Sequence, residues 1–292
     1  MKWFIVLAVI LSFAVLLTGL FGCGSKTTVT FPDPNLEAAI REAVDKPEGP
    51  IYTFDLESLT MLEVPERDIL DLTGLEYCLN LHVLGLWDNN VSDISALAGL
   101  TNLQELWFGG NNISDISPLA RFINLELLDL GGNNISDISA LAGLGDLQAL
   151  FLANNNISDI SALAGLTGLD HLYLANNNIS DISPLADLTN LKNLTVSYNN
   201  ISDISPLADL TNLQQLYLGD NNISDISALA GLIGLDHLHL ATNNISDISP
   251  LVENSGLSER DTVYLTGNPL SPTSVDVYIP QLEGRGVDVN YY

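Results

Sequence analysis

Basic residues are scarce in this chain. Nine Lys and Arg stand against 36 Asp and Glu, a formal charge of −27, and a surface of that sign repels phosphate backbones and anionic headgroups. This argues against nucleic acid as a partner. Cysteine is scarcer still, with only Cys23 and Cys78, so no disulfide framework holds the fold. Histidines number four. His237 and His239 lie two residues apart, about 7 Å if both point from one strand. His171 is too distant to join them, and no third ligand stands nearby, so no metal site is assigned. No Ser or Cys occupies an elbow or triad motif. The chain therefore reads as a non-enzyme, and no cofactor is expected. Long apolar runs are missing too, except for one at the start.

That run extends from Trp3 to Phe21, interrupted only by Ser12, Thr18 and Gly19 and preceded by Lys2. It has the form of an export signal. Leu20 to Cys23, "LFGC", resembles the bacterial lipobox, with Leu three residues before the cysteine and a small residue just before it; Phe21 departs from the small or β-branched residue usual there. The resemblance implies a lipoprotein-type signal peptide over 1–22 and a lipid anchor on Cys23, which would hold the exported protein to the membrane of a bacterial cell envelope. Secretion, or retention by an uncleaved N-terminal helix, are the alternatives. Residues 23–30, "CGSKTTVT", then form a short tether.

What is present in abundance is repetition. "NNISDIS" begins at Asn111 and returns every 22 residues through Asn243, with "NNVSDIS" one period earlier at Asn89. A fixed short period means one elongated domain growing in one dimension. The heptapeptide alone supplies eight aspartates, so part of the acidity is structural. Numbering each unit from its opening leucine, columns 1, 4, 6, 11, 14, 17 and 20 are apolar. Across the eight regular units from Leu81 to Gly256 only Asn254 breaks the pattern. The stretch around columns 4 and 6 alternates with period two, as a strand does, and the later columns step as a chain wrapping a core would. Stacked turns place these strands in parallel, roughly 4.8 Å apart.

The asparagine of column 9 has both a donor and an acceptor. Asn89, Asn111, Asn133, Asn155, Asn177, Asn199, Asn221 and Asn243 can therefore satisfy backbone groups at the inward bend after each strand, where no ladder partner exists. The serine of column 15, as in "SPLA" from Ser117, is expected to cap a short helical turn. The column-13 aspartates from Asp93 to Asp247 form a like-charge row, which hydrogen bonds from turn amides or an intervening calcium ion would relieve. The pattern L-x-x-L-x-L-x-x-N-x-I-x-x-I-x-x-L resembles the leucine-rich repeat, in the 22-residue form of bacterial internalins and of eukaryotic phosphatase-regulating proteins. The resemblance implies an α/β repeat fold: a right-handed solenoid with a concave parallel sheet and short convex 3-10 turns.

Both ends of such a stack need covers. Phe31 to residue 58 reads as the N-terminal cap, with a helix capped by Asp33, opened by Pro34 and striped by Leu36, Ala39, Ile40, Ala43 and Val44. The repeats run over 59–256. Their first turn is degenerate, with Arg67 in place of the asparagine and Cys78 in an apolar slot. Residues 257–292 hold an irregular last repeat, shifted by a three-residue insertion so that Asn268 takes the asparagine's place, and then a closing helix and edge strand.

Columns 3, 5 and 7 must face the concave side. Column 5 reads Gly85, Trp107, Asp129, Phe151, Tyr173, Thr195, Tyr217, His239 and, in the irregular turn, Tyr264. Core packing requires no aromatics there. A ridge of them on an exposed curved sheet is what a binding surface presents, though large residues also stiffen a sheet. The predicted ligand contacts are Trp87, Trp107, Phe151, Tyr173, Tyr198, Tyr217 and His239. The expected function is non-catalytic binding of a protein or glycan at the cell surface. An acidic, calcium-responsive structural or adhesion spacer is the alternative, and phosphatase regulation conflicts with the export signal.

Overall fold

In the computed structural model, which describes residues 27–292, the chain is a solenoid built around an 11-stranded parallel sheet in unbroken sequence order from Met61–Glu63 to Asp288–Asn290. Cys23 and the N-terminal apolar run lie outside the described residues. Each regular unit contributes one three-residue strand, in register with the same columns of its neighbours: Leu106 pairs with Leu84 and Leu128, Trp107 with Gly85 and Asp129. The sheet forms the concave side. The convex side is made of 3-10 turns such as Ser139–Leu141 and Ser161–Leu163, giving way to an α-helix at Ser249–Glu253.

The apolar columns line the interior between these two layers, and their side chains are buried from Leu59 to Leu251 without a gap. One turn cannot cover its own leucines, so stability is shared between neighbours. Each buried aliphatic contributes about 1.5–3 kcal/mol before entropy is subtracted. Asn254, the one polar intruder, is buried but fully engaged: it donates to Leu229 O and Leu232 O and accepts from Gly256 N.

The column-9 asparagines stitch adjacent turns. Asn155 Nδ2 donates to Leu152 O of its own turn at 3.1 Å and to Leu130 O of the preceding one at 2.9 Å, while its Oδ1 accepts from Ile135 N at 2.9 Å. The same set recurs at column 9 of the other regular turns, as at Asn111 and Asn133, and Asn268 continues it past the insertion. Arg67 shows why the first turn can dispense with it. No turn precedes this one to be stitched, and the Arg67 amide itself donates to Asn89 Oδ1. A second row lies at the column before each opening leucine, where Asn80, Asn102, Asn124, Asn190 and Asn212 each donate to the carbonyl 23 residues earlier.

The turns differ from expectation in one respect. Serine, expected to cap the turn that follows, is instead that turn's first residue, as in Ser117–Arg121. The acceptor is the aspartate two residues before it: Asp115 Oδ1 takes the Ser117 amide at 2.8 Å, and Asp137, Asp159, Asp181 and Asp203 do likewise. An aspartate reaching two residues forward closes an Asx turn, which places its oxygen where a serine hydroxyl would have to reach. Amide and hydroxyl of the serine hold the pKa of Asp93, Asp137, Asp159, Asp181 and Asp203 below the usual value.

At the N-terminal end the helix Pro34–Ala43 buries Leu36, Ala39 and Ile40. Ala43, placed in the stripe by periodicity, is the last residue of the helix and is exposed, while Val44 after it packs against the core. Asp33 caps the helix by accepting from Asn35 N and Leu36 N, and its second oxygen accepts from Leu70 N and Asp71 N of the first turn. One carboxylate thus fixes the cap to the solenoid. Burial pushes its pKa up, but the four amides outweigh this and lower it. Thr28–Val29, expected in the tether, forms a strand antiparallel to Ile51–Tyr52, and Val29 is buried. Behind it Phe31 packs on Gly74, whose φ of 104° and lack of a Cβ leave room for the ring. At the other end a π-turn, Ser274–Tyr278, runs into the helix Ile279–Glu283, and Asp288–Asn290 adds the last strand.

Candidate functional site

The concave face is built by strand alternation: in Glu105–Trp107, Ala149–Phe151 and His171–Tyr173 the middle leucine points into the core and its two neighbours point out, half-buried by the adjacent turns. Column 5 therefore forms a line down the sheet. Phe151 and Tyr173 stack with centroids 4.7 Å apart and planes inclined by 4°, a separation that is the strand repeat itself. Trp107 meets Phe151 at 6.3 Å, and its indole Nε1 donates to Glu105 Oε2 at 3.1 Å.

A second cluster begins two strands on, beyond Thr195. Tyr217 contacts His239 at 6.2 Å and His237 at 5.9 Å, and both imidazoles contact Tyr264. Sequence reasoning had His237 and Tyr264 on this face but not among the contacts. The reason is that rings two columns apart on one strand both reach a neighbour's ring, which column counting alone does not show.

Two predicted residues stand apart from these clusters. Trp87 lies over Gly85 at the end of its turn's strand, where a Cβ would sit 2.5 Å from the ring, and joins neither ring cluster among the described residues. Tyr198 is 60% exposed, at a backbone φ of 56°. Its column is the left-handed corner of every regular turn, occupied by Asp88, Gly110, Gly132, Asn154, Asn176, Asp220 and Thr242, all at positive φ. Gly, Asn and Asp tolerate that conformation; an aromatic side chain is unusual in it. The composition of that column was the available signal for the corner.

Polar groups on the face occupy notches left by glycine. Column 7 holds Ala153, Ala175 and Ser197 beside the large rings but Gly109 and Gly131 beside Asp129, and Gly219 beside His239. A Cβ on Gly109 would come 2.9 Å from Asp129 Oδ2, and one on Gly219 would come 2.5 Å from His239 Nδ1. Asp129 Oδ1 accepts from Gly131 N at 2.9 Å. Burial raises its pKa against the pull of that amide, and the Asp88 charge adds to the rise. Burial lowers the pKa of His239, and its Nδ1 is buried without a hydrogen-bond partner.

Among the described residues no helix is long and apolar enough to cross a membrane. A hollow of about 320 Å³ bounded by Leu70, Asp71, Leu72, Thr73, Asp93, Ser95 and Ala96 lies on the other side of the first turns from the aromatic line and carries neither histidine nor thiol.

The family profile described as "Leucine Rich repeats (2 copies)" matches residues 79–121, 123–165, 167–209 and 211–253. Among solved structures, internalin C2 from Listeria monocytogenes is 40% identical with a TM-score of 0.70, over 73% of this chain and 97% of that one. An internalin F from the same organism is 34% identical with a TM-score of 0.58, over 90% and 91%. A leucine-rich repeat protein from Leptospira interrogans, 23% identical over 82% of this chain and 62% of that one, shares the fold with a TM-score of 0.75. No match emerges among curated proteins.

Proposed function

Since this chain belongs to the leucine-rich repeat family and is internalin-like in sequence and structure, we propose that it is a non-catalytic binding protein of the bacterial cell envelope, exported and lipid-anchored through Cys23, that takes a protein or glycan on its concave face. The observation that carries this reading is the aromatic line. The interior columns are filled and their backbone partners satisfied without it, yet Trp107, Phe151, Tyr173, Tyr217 and His239 place half-exposed rings along one rigid curved surface. Rings held by a scaffold lose little entropy on binding and supply large contact area, which is how interface anchors work.

The Phe151–Tyr173 stack favours one other reading, in which the rings brace a structural spacer. Capture of envelope proteins and surface glycans on the wild type and on a variant with Trp107, Tyr173 and Tyr217 changed to alanine separates the two. A ligand held by the wild type and lost by an equally stable variant supports the receptor; identical profiles support the spacer. The anchor has its own test: Cys23→Ser should abolish partitioning into a detergent phase, and equal partitioning sinks the lipid.

A further inference from the structure

We propose that Trp107, Asp129 and Phe151 form a subsite for an arginine side chain presented by a protein partner. This rests on the concave-face reading above and narrows its ligand from protein or glycan to a cationic protein segment.

The geometry of the three strands carries the inference. Trp107, Asp129 and Phe151 are consecutive partners across the sheet, so the two rings are anchored roughly 9.6 Å apart, two strand spacings. Their centroids nevertheless approach to 6.3 Å. The rings lean toward each other across the strand that carries the aspartate. Two positions further along the chain, Gly109 and Gly131 leave the notch that receives the carboxylate, and one oxygen takes the Gly131 amide. None of the ion pairs among the described residues includes Asp129. A carboxylate half-removed from water, held in place and given no internal cation is a liability to the fold.

The surroundings select the sign and shape of what would relieve it. Columns 3, 5 and 7 carry no Lys or Arg from the first strand to the last, while Glu63, Glu105 and Asp129 lie on them and Asp88 stands at the adjoining corner. A planar guanidinium stacks on ring faces while its N–H fork reaches a carboxylate, whereas an ammonium does only the second well. A neutral glycan would stack on the rings but leave Asp129 without its counter-charge.

The test is fluorescence anisotropy on the full-length protein in nonionic detergent at about 0.15 M salt, where long-range attraction to the acidic chain is screened. The probes are a labelled Gly-Arg-Gly-Arg-Gly peptide, its lysine counterpart, and its citrulline counterpart, which keeps the shape and loses the charge. The arginine peptide should bind about tenfold more tightly than the citrulline one, and more tightly than the lysine one. Asp129→Asn, which preserves the bond from Gly131 N, should remove that preference; Asp159→Asn, which deletes an equal charge on the exposed turn, should not. No arginine binding, equal binding of arginine and citrulline, or equal losses in the two variants overturns the proposal. If the arginine peptide fails while a neutral glycan or protein is captured by the wild type and lost from the triple alanine variant, only the cationic subsite falls. If nothing depends on the concave rings, the receptor reading falls with it.

Discussion

Replacing Asn155 by alanine tests the stitching of the solenoid, and its cost can be worked out bond by bond. Three hydrogen bonds at or below 3.1 Å disappear. The acceptors are not left bare. Leu130 O keeps Asn133 Nδ2 at 3.0 Å, and Leu152 O keeps Asn177 Nδ2 at 2.9 Å. Only the buried Ile135 N–H loses its partner outright. An orphaned buried donor costs about 1–3 kcal/mol and each of the two shared bonds about 0.5–1, so the variant should be destabilised by about 2–5 kcal/mol in denaturant titration. Asn156→Ala, one residue on and exposed, should stay within about 0.5 kcal/mol of wild type. Sharing also predicts which pairs couple. Asn155→Ala with Asn177→Ala removes both donors from Leu152 O and should cost more than the sum of the singles by about 1 kcal/mol. Asn111→Ala with Asn199→Ala, whose acceptors are separate, should be additive. Hydrogen exchange supplies a local readout, since Ile135 should lose protection in Asn155→Ala. A cost below about 1 kcal/mol, or strict additivity of the neighbouring pair, would refute the account.

Asp129→Asn should raise the melting temperature at pH 7. A carboxylate whose folded pKa is raised by burial costs stability when ionised, so the gain should shrink as pH falls through that pKa and the wild-type group protonates; a lower melting temperature at pH 7 would contradict this. Asp33→Ala strips four backbone amides of their acceptor and should cost about 2–4 kcal/mol. Here the folded pKa is depressed, so the contribution is present above the unfolded value of about 3.9 and lost as pH falls through the folded one. Denaturation curves of both proteins should converge in acid, and a gap independent of pH would refute the cap. Cys78 is buried, and burial together with the nearby Glu76 lifts its thiol to about 12. In a Cys23→Ser background it should resist a thiol reagent at pH 8 until denaturant is added; stoichiometric reaction of the native protein would refute this.

The apolar columns were legible because a solenoid repeats each contact: a leucine that is buried in one turn is buried in the same slot of the next, so periodicity alone identifies the interior. The asparagine row was legible for a chemical reason, since its amide offers two N–H donors and a carbonyl acceptor at a bend, where an aspartate would lack the donor. What the pattern concealed is local. Ser117 and Asp115 are two residues apart and both can cap, and only the backbone path decides that the aspartate reaches the amide. Thr28–Val29 pairs with a strand more than 20 residues later, and two short unpatterned segments give no sign of each other.

The same logic explains why the concave face was only partly readable. Column number tells which way a side chain leaves the strand, so Trp107, Phe151 and Tyr173 fall on one surface from sequence alone. It does not tell which rings touch. That depends on whether the intervening residue fills its space or leaves it, and here the informative column is the one with the smallest side chains. Glycine replaces alanine or serine at Gly109, Gly131 and Gly219, where a neighbouring Asp129 or His239 would otherwise meet a Cβ. A column of small residues in a repeat protein is usually read as tight packing. At these positions glycine lies against a polar side chain and not the core, so it marks where the sheet has made room for polar groups. At Asp129 the acidic face and its glycine notch are one arrangement, and the arginine proposed for it brings the opposite charge.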